Sequence, residues 1–151
     1  MPQASILLPL LLAALAGVAT AFQPGVNAKL AVFTPSRLHG GLANFLVGAF
    51  AMALACALAR TPVPQRDRLA EAPWWAFTGG LLGAFFVTTA VYLVPRIGAV
   101  NYLVAMVLGQ MVGTAVIDHF GLVGLAQHPF TWGRGAGLVL IAAGVACVRW
   151  L

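Results

Sequence analysis

Six uncharged polar side chains interrupt long apolar runs: Gln23, Asn27, Asn44, Tyr92, Asn101 and Gln110. Amide and phenol groups can hold a solute by hydrogen bonds without carrying charge. In hydrocarbon they are costly unless they face a protein interior or water. These six are therefore expected to line a substrate pathway. Steps of three and four place Ala13, Ala16, Thr20, Gln23 and Asn27 on one stripe of a helix. Gln110, Thr114 and Asp118 recur at intervals of four, with Asn101 nearer the start of that run. Gln23, Asn27, Asn44, Tyr92 and Asn101 all fall in the half of the membrane away from the N-terminus, and Gln110 lies near its middle. Hydrogen bonds that merely tie helices together, at about 0.6 kcal/mol each, would not need a shared depth, whereas a vestibule does. Interhelical packing contact remains the alternative use of the same residues.

Other chemistries have less to build on. Asp67, Glu71 and Asp118 are the only carboxylates, and the first two sit in a polar connection. An exporter exchanging protons for organic cations needs a carboxylate deep in the membrane. Asp118, at the end of one apolar run, is instead expected to pair with Arg134 at the start of the next, as a structural ion pair. Lys29, Arg37 and Arg96 lie beside the polar half, which favours a neutral or anionic solute over a cation. His39, His119 and His128 share no motif, and Cys56 and Cys147 lack metal-ligand spacing. No phosphate-binding loop or nucleophile elbow occurs. Neither an enzyme nor a bound metal or other cofactor is expected.

The elements that must position these groups follow from composition. Of 151 residues, 62% are hydrophobic and 7% charged, with a mean hydropathy of +0.97. A soluble domain carries about 25% charged residues, so a soluble fold, disorder and a soluble nucleic-acid binder are all excluded, the last despite a net charge of +5. The expected fold is all-α, a polytopic membrane bundle of five transmembrane helices in one integral membrane domain. Those helices run approximately over 4–33, 39–60, 73–94, 97–119 and 131–150. Arg60 to Pro73 reads as an aqueous loop, and Trp74, Trp75 and Trp132 mark span ends. Shorter breaks are expected at 34–37, 95–98 and 121–131, and Pro24 should kink the first helix or free a carbonyl near Thr20. Val18 to Ala21 ends in a pattern like a signal-peptide cleavage site, but no Lys or Arg precedes Lys29, so retention of the first span is expected.

Small residues mark helix seams in lipid. Gly79 and Gly83 form a G-x-x-x-G in the third span, and Gly109 and Gly113 another in the fourth; all four are expected at helix-packing contacts. Gly40, Asn44 and Gly48 share a face of the second span. With five spans, Arg60, Arg66, Arg68 and Arg134 fall on the N-terminal side and Lys29, Arg37, Arg96 and Arg149 on the other. Orientation follows an excess of Lys and Arg on one side, and here the two sides balance. Insertion in both directions is the expected result. Two opposed copies would then form an antiparallel homodimer, reproducing across two chains the inverted repeat that many transporters hold in one.

The stretch Gln23-Pro24-Gly25-Val26-Asn27-Ala28-Lys29-Leu30 resembles the first-helix signature of the YdcZ-like family, five-span members of the drug/metabolite transporter superfamily. The resemblance extends to Gly79 through Ala84, Pro95 through Ala99, Gly109-Gln110, Asp118 through Leu122, Arg134 to Gly137 and Gly144-Val145. It covers nearly the whole chain. The second half is similar in layout to the last helices of EamA-type transporters. The resemblance implies a bacterial inner-membrane, multi-pass protein working as a dimer, often of dual topology, and exporting small molecules. The related small multidrug resistance proteins carry a membrane-buried glutamate in the first helix. Here Gln23 and Asn27 are the nearest polar groups. The function expected is a secondary exporter using alternating access, with lipid, a small-molecule substrate and a second copy as partners and no nucleic acid. The alternative is a non-transporting membrane subunit or assembly protein.

Overall fold

The computed structural model describes residues 4–150, and among them every regular element is helical. Six α-helices follow in order: α1 (Ala4–Ala31), α2 (Arg37–Leu58), α3 (Arg66–Ala70), α4 (Gly79–Ile97), α5 (Ala99–Phe120) and α6 (Trp132–Trp150). Four apolar stretches are long enough to cross a membrane: Ile6–Ala31, Arg37–Leu58, Trp74–Ile97 and Ala99–Phe120; Trp132–Val148 is a shorter apolar helix. Their large apolar side chains point outward. Leu15, Phe22, Phe50 and Leu81 are each exposed, which is the arrangement hydrocarbon permits and water penalises. The side chain of Arg149, counted in the charge balance, lies outside the described residues.

The chain divides into two compact units, one ending at Arg96 and the other beginning at Ile97. In the first unit, α1 and α2 form an antiparallel hairpin across a turn at residues 32–36. Thr34 Oγ1 donates to the carbonyls of Ala31 (3.2 Å) and Ser36 (2.8 Å), and Ser36 caps α2 by accepting from His39 N. Gly40 is what lets the helices close. A Cβ built there would lie 2.7 Å from Ala31 Cα and 2.8 Å from Ala31 N, inside van der Waals contact with backbone. At the next residue the space beside Gly41 is taken by Val87 of α4, and one turn further on Phe45 lies against Gly83. Ala31, Val87 and Val91, with Phe86 packed on them, make a small core.

α1 is one helix over 28 residues despite Pro9 and Pro24. Each proline lacks an N–H, so one intrahelical bond is missing at each without ending the helix. The polar connection is not wholly irregular. It holds the single-turn helix α3, with Asp67 in its first turn and Arg68 in its last, the signs that a helix dipole favours. A 3-10 turn at Trp74–Thr78 then leads into α4. The break expected over 95–98 narrows to one residue. α4 continues through Pro95 to Ile97, and the helix is broken at Gly98 (φ 83°, ψ 154°), a conformation open essentially to glycine alone.

In the second unit α5 packs on α6. The connecting segment is tied to the end of α5 by His128 N donating to Asp118 O (2.8 Å), Gln127 Nε2 to His119 O (2.9 Å) and Phe130 N to His119 Nδ1 (3.1 Å). Arg134 N donates to Thr131 Oγ1, which opens α6 as a side-chain cap.

Candidate functional site

The hairpin register decides which polar groups meet. Ala31 faces Gly40. One helical turn back along α1 and one turn on along α2, Asn27 faces Asn44, whose Nδ2 donates to Asn27 Oδ1 at 2.7 Å. A further turn brings Gln23 and Gly48 to the wall of the same cavity. Four-residue steps on both helices keep these pairs on the shared face. Because Gly48 has no side chain, and a Cβ there would meet nothing within 4 Å, the hairpin leaves open space opposite Gln23.

That space is a cavity of about 370 Å³. Its polar lining is Gln23, Asn27 and Asn44, and Phe45, Met52 and Val87 complete much of the apolar wall. No charged residue lines it. Asn27 is 1% exposed and Gln23 exposed. Only half of the Asn27 amide is satisfied: Oδ1 accepts from Asn44, while Nδ2 is buried with no hydrogen-bond partner. A buried donor without an acceptor costs about 1–3 kcal/mol, so it marks a position where an acceptor belongs. Pro24, fully buried one turn before Asn27, stiffens α1 at this point.

The other expected pathway residues lie elsewhere. Tyr92 belongs to the first unit but does not line this cavity; its ring carries the Arg37 guanidinium at 5.4 Å from the centroid. Arg37 also borders a second cavity of about 180 Å³, which shares Phe45 and Val87 with the first. Asn101 and Gln110 belong to the second unit. Asn101 Nδ2 bonds back to Ile97 O at 2.8 Å, four residues earlier and across the Gly98 break. Gln110 is exposed on α5, and its main-chain carbonyl accepts from Thr114 Oγ1. Within the first unit the structure thus brings together Gln23, Asn27 and Asn44 and leaves Tyr92 off that cavity wall. Phe45, Met52 and Val87 went unnoticed in the sequence because apolar residues in a span carry no signal of their own. Helical spacing could have found Met52, which follows Asn44 and Gly48 at steps of four.

Of the four glycines expected at seams, Gly83 meets a neighbouring helix, with Phe45 at 3.5 Å from a built Cβ. Around Gly79, Gly109 and Gly113 nothing lies within 4 Å among the described residues. Close approach is seen at Gly40 and Gly41.

At the far end of α5, Arg134 Nη1 lies 3.3 Å from Asp118 Oδ2 and donates to His128 O at 3.2 Å. Asp118 stands in the last turn of α5 and Arg134 in the first turn of α6, each the wrong sign for its helix dipole, so pairing offsets both. The side chains are 27% and 41% exposed, which limits the pair to about 1 kcal/mol. Asp118→Asn is expected to lower Tm by roughly 3 °C and to reduce yield, with any pH dependence of activity unchanged. Thermal melts and flux at two pH values check this. A stable Asp118→Asn protein that had lost only its pH dependence would assign Asp118 to proton coupling.

Comparison with known proteins supplies a frame for this geometry. The family described as "Putative inner membrane exporter, YdcZ" matches residues 8–147. The chain is also similar to the inner membrane protein YdcZ of Escherichia coli (strain K12), with 30% identity over 71 residues. That match covers 47% of this chain and 47% of the relative, so it spans about half the length of each. No solved structure matches.

Proposed function

The chain belongs to the YdcZ family of the drug/metabolite transporter superfamily, inner-membrane proteins, and from that premise we propose that it is a secondary exporter of a small molecule. Export runs by alternating access in an antiparallel homodimer. The observation that carries this reading is the half-satisfied Asn27 amide beside an uncharged cavity between α1, α2 and α4. A residue serving only as packing contact has no reason to keep a buried donor idle. Gln23, Asn27 and Asn44 form the solute site of each copy; Tyr92, Asn101 and Gln110 are assigned to the pathway by their chemistry.

Five spans are proposed, the fifth being α6. Its 19 residues reach about 28 Å at 1.5 Å per residue. That is close to the hydrocarbon thickness, with Trp132 and Trp150 at its two ends in the headgroup layers. Five spans and balanced basic residues support insertion in both orientations. The open faces at Gly79, Gly109 and Gly113 offer a second copy close approach.

The alternative, a non-transporting subunit, is favoured by one observation: the Asn27–Asn44 bond does tie α1 to α2. Two measurements test the proposal. A solute screen on purified protein in liposomes, read by electrophysiology on solid supports with and without a pH gradient, is expected to give saturable flux. Gln65→Cys, made with Cys56 and Cys147 replaced by Ala, is expected to react with impermeant maleimide from both faces of the membrane. Labelling from one face alone would remove the antiparallel dimer.

A further inference from the structure

We infer that the α1–α2 cavity selects an uncharged solute that presents a hydrogen-bond acceptor on an apolar body, such as a ketone, ester or tertiary amide of modest size. This rests on the exporter reading and specifies its cargo by chemical class. The carbonyl or ether oxygen of such a solute, on a small shift of the buried side chain, accepts from the Asn27 NH2, neither of whose two hydrogens has a partner. Gln23, exposed on the same wall, supplies a second amide. Phe45, Met52 and Val87 cover the apolar remainder. The volume, about 370 Å³, falls in the range of small-molecule pockets.

Charge is selected against by what the wall lacks. A carboxylate would enter a cavity with no cationic lining residue, and a quaternary ammonium one with no acidic lining residue. Either would lose its hydration without compensation. A purely apolar solute would fill the space but leave both amide hydrogens idle. An unpartnered NH2 to satisfy, no charge to pair and an apolar wall together specify a neutral acceptor.

The chain has three asparagines, Asn27, Asn44 and Asn101, so protein labelled with 15N-asparagine in lipid nanodiscs gives three side-chain amide pairs by NMR. Four probes sharing one ring are titrated: N,N-dimethylbenzamide, benzoate, phenyltrimethylammonium and isopropylbenzene. The benzamide should shift the Asn27 pair saturably and leave Asn101 in place, since Asn101 is already bonded to Ile97 O. The two ions should give no saturable shift, and isopropylbenzene should bind at least tenfold more weakly. Gly48→Leu, placed where nothing lies within 4 Å of a Cβ, should abolish benzamide binding while keeping the Asn27–Asn44 bond.

A charged probe matching the benzamide, isopropylbenzene binding equally well, no saturable shift with the benzamide, or binding that survives Gly48→Leu would each overturn the assignment. Failure of the exporter reading looks different. Benzamide binding at Asn27 without flux of any solute in liposomes sinks transport and leaves the ligand class standing. Flux of charged solutes without benzamide binding does the reverse.

Discussion

Gly40→Leu is expected to lower the Tm of the purified protein by roughly 10 °C, the largest stability loss of any single substitution proposed. The first carbon of the new side chain already falls 2.7 Å from Ala31 Cα and 3.0 Å from its Cβ. Because the obstacle includes backbone, no rotamer change relieves it, and α1 must move off α2. Inserting atoms into a packed seam costs about 1–3 kcal/mol, and the upper end applies where backbone has to shift. At this chain length each kcal/mol corresponds to about 2–4 °C. Separation at Gly40 also pulls Asn27 away from Asn44 one turn along the same register, so binding should fall together with Tm. Gly48→Ala is the control. It lies on the same helix face two turns away, meets nothing within 4 Å, and gains up to about 1 kcal/mol of helix propensity. Equal destabilisation by the two substitutions would mean that glycine flexibility, rather than close approach at Ala31, is what matters.

If the proposed exporter reading holds, Asn27→Ala should reduce flux at least tenfold while the proposed dimer persists. The stability cost is bounded. The lost interhelical bond is worth about 0.6 kcal/mol, and Asn44, partly exposed, can turn its amide toward the cavity. Transport is more sensitive, because losing about 1.4 kcal/mol of solute binding or barrier lowering is already a factor of ten. Removing the amide takes away the buried side-chain donor that, among the described residues, faces no protein acceptor. Flux in liposomes, read beside crosslinking of the dimer, separates the two roles of Asn27. Loss of flux with an intact dimer supports a solute site. Loss of the dimer with proportionate loss of flux would make the residue a packing contact and favour the non-transporting reading.

Much of the molecule's organisation could be read from residue order because its solvent is written in its composition. Runs of Leu, Ala, Val and Phe broken at Thr34–Arg37, at the Arg60–Pro73 segment and near Gly98 leave helices as the only backbone state that satisfies its own hydrogen bonds in lipid. Resemblance in the Gln23–Leu30 stretch led to the same family that the comparison over residues 8–147 establishes. The glycine pattern was less informative. Gly79, Gly109 and Gly113 have the spacing of a seam, yet among the described residues nothing lies within 4 Å of a Cβ built there, whereas Ala31 crowds Gly40. Spacing says which glycines share a face but not which face is covered.

What the amino-acid order determined without help, then, is the helical state, the membrane setting and the presence of a few uncharged polar groups that hydrocarbon would penalise. All three depend on local composition and periodicity, which are properties of short windows. Tertiary structure alone decided that Asn27 meets Asn44 while Asn101 bonds back to Ile97 across the Gly98 break, and that the Asn27 NH2 is left without an acceptor beside an open cavity. Those outcomes hang on a hairpin register set by the approach of Gly40 to Ala31. A shift of one residue there would carry each polar group about 100° around its helix and dismantle the site without altering a single span.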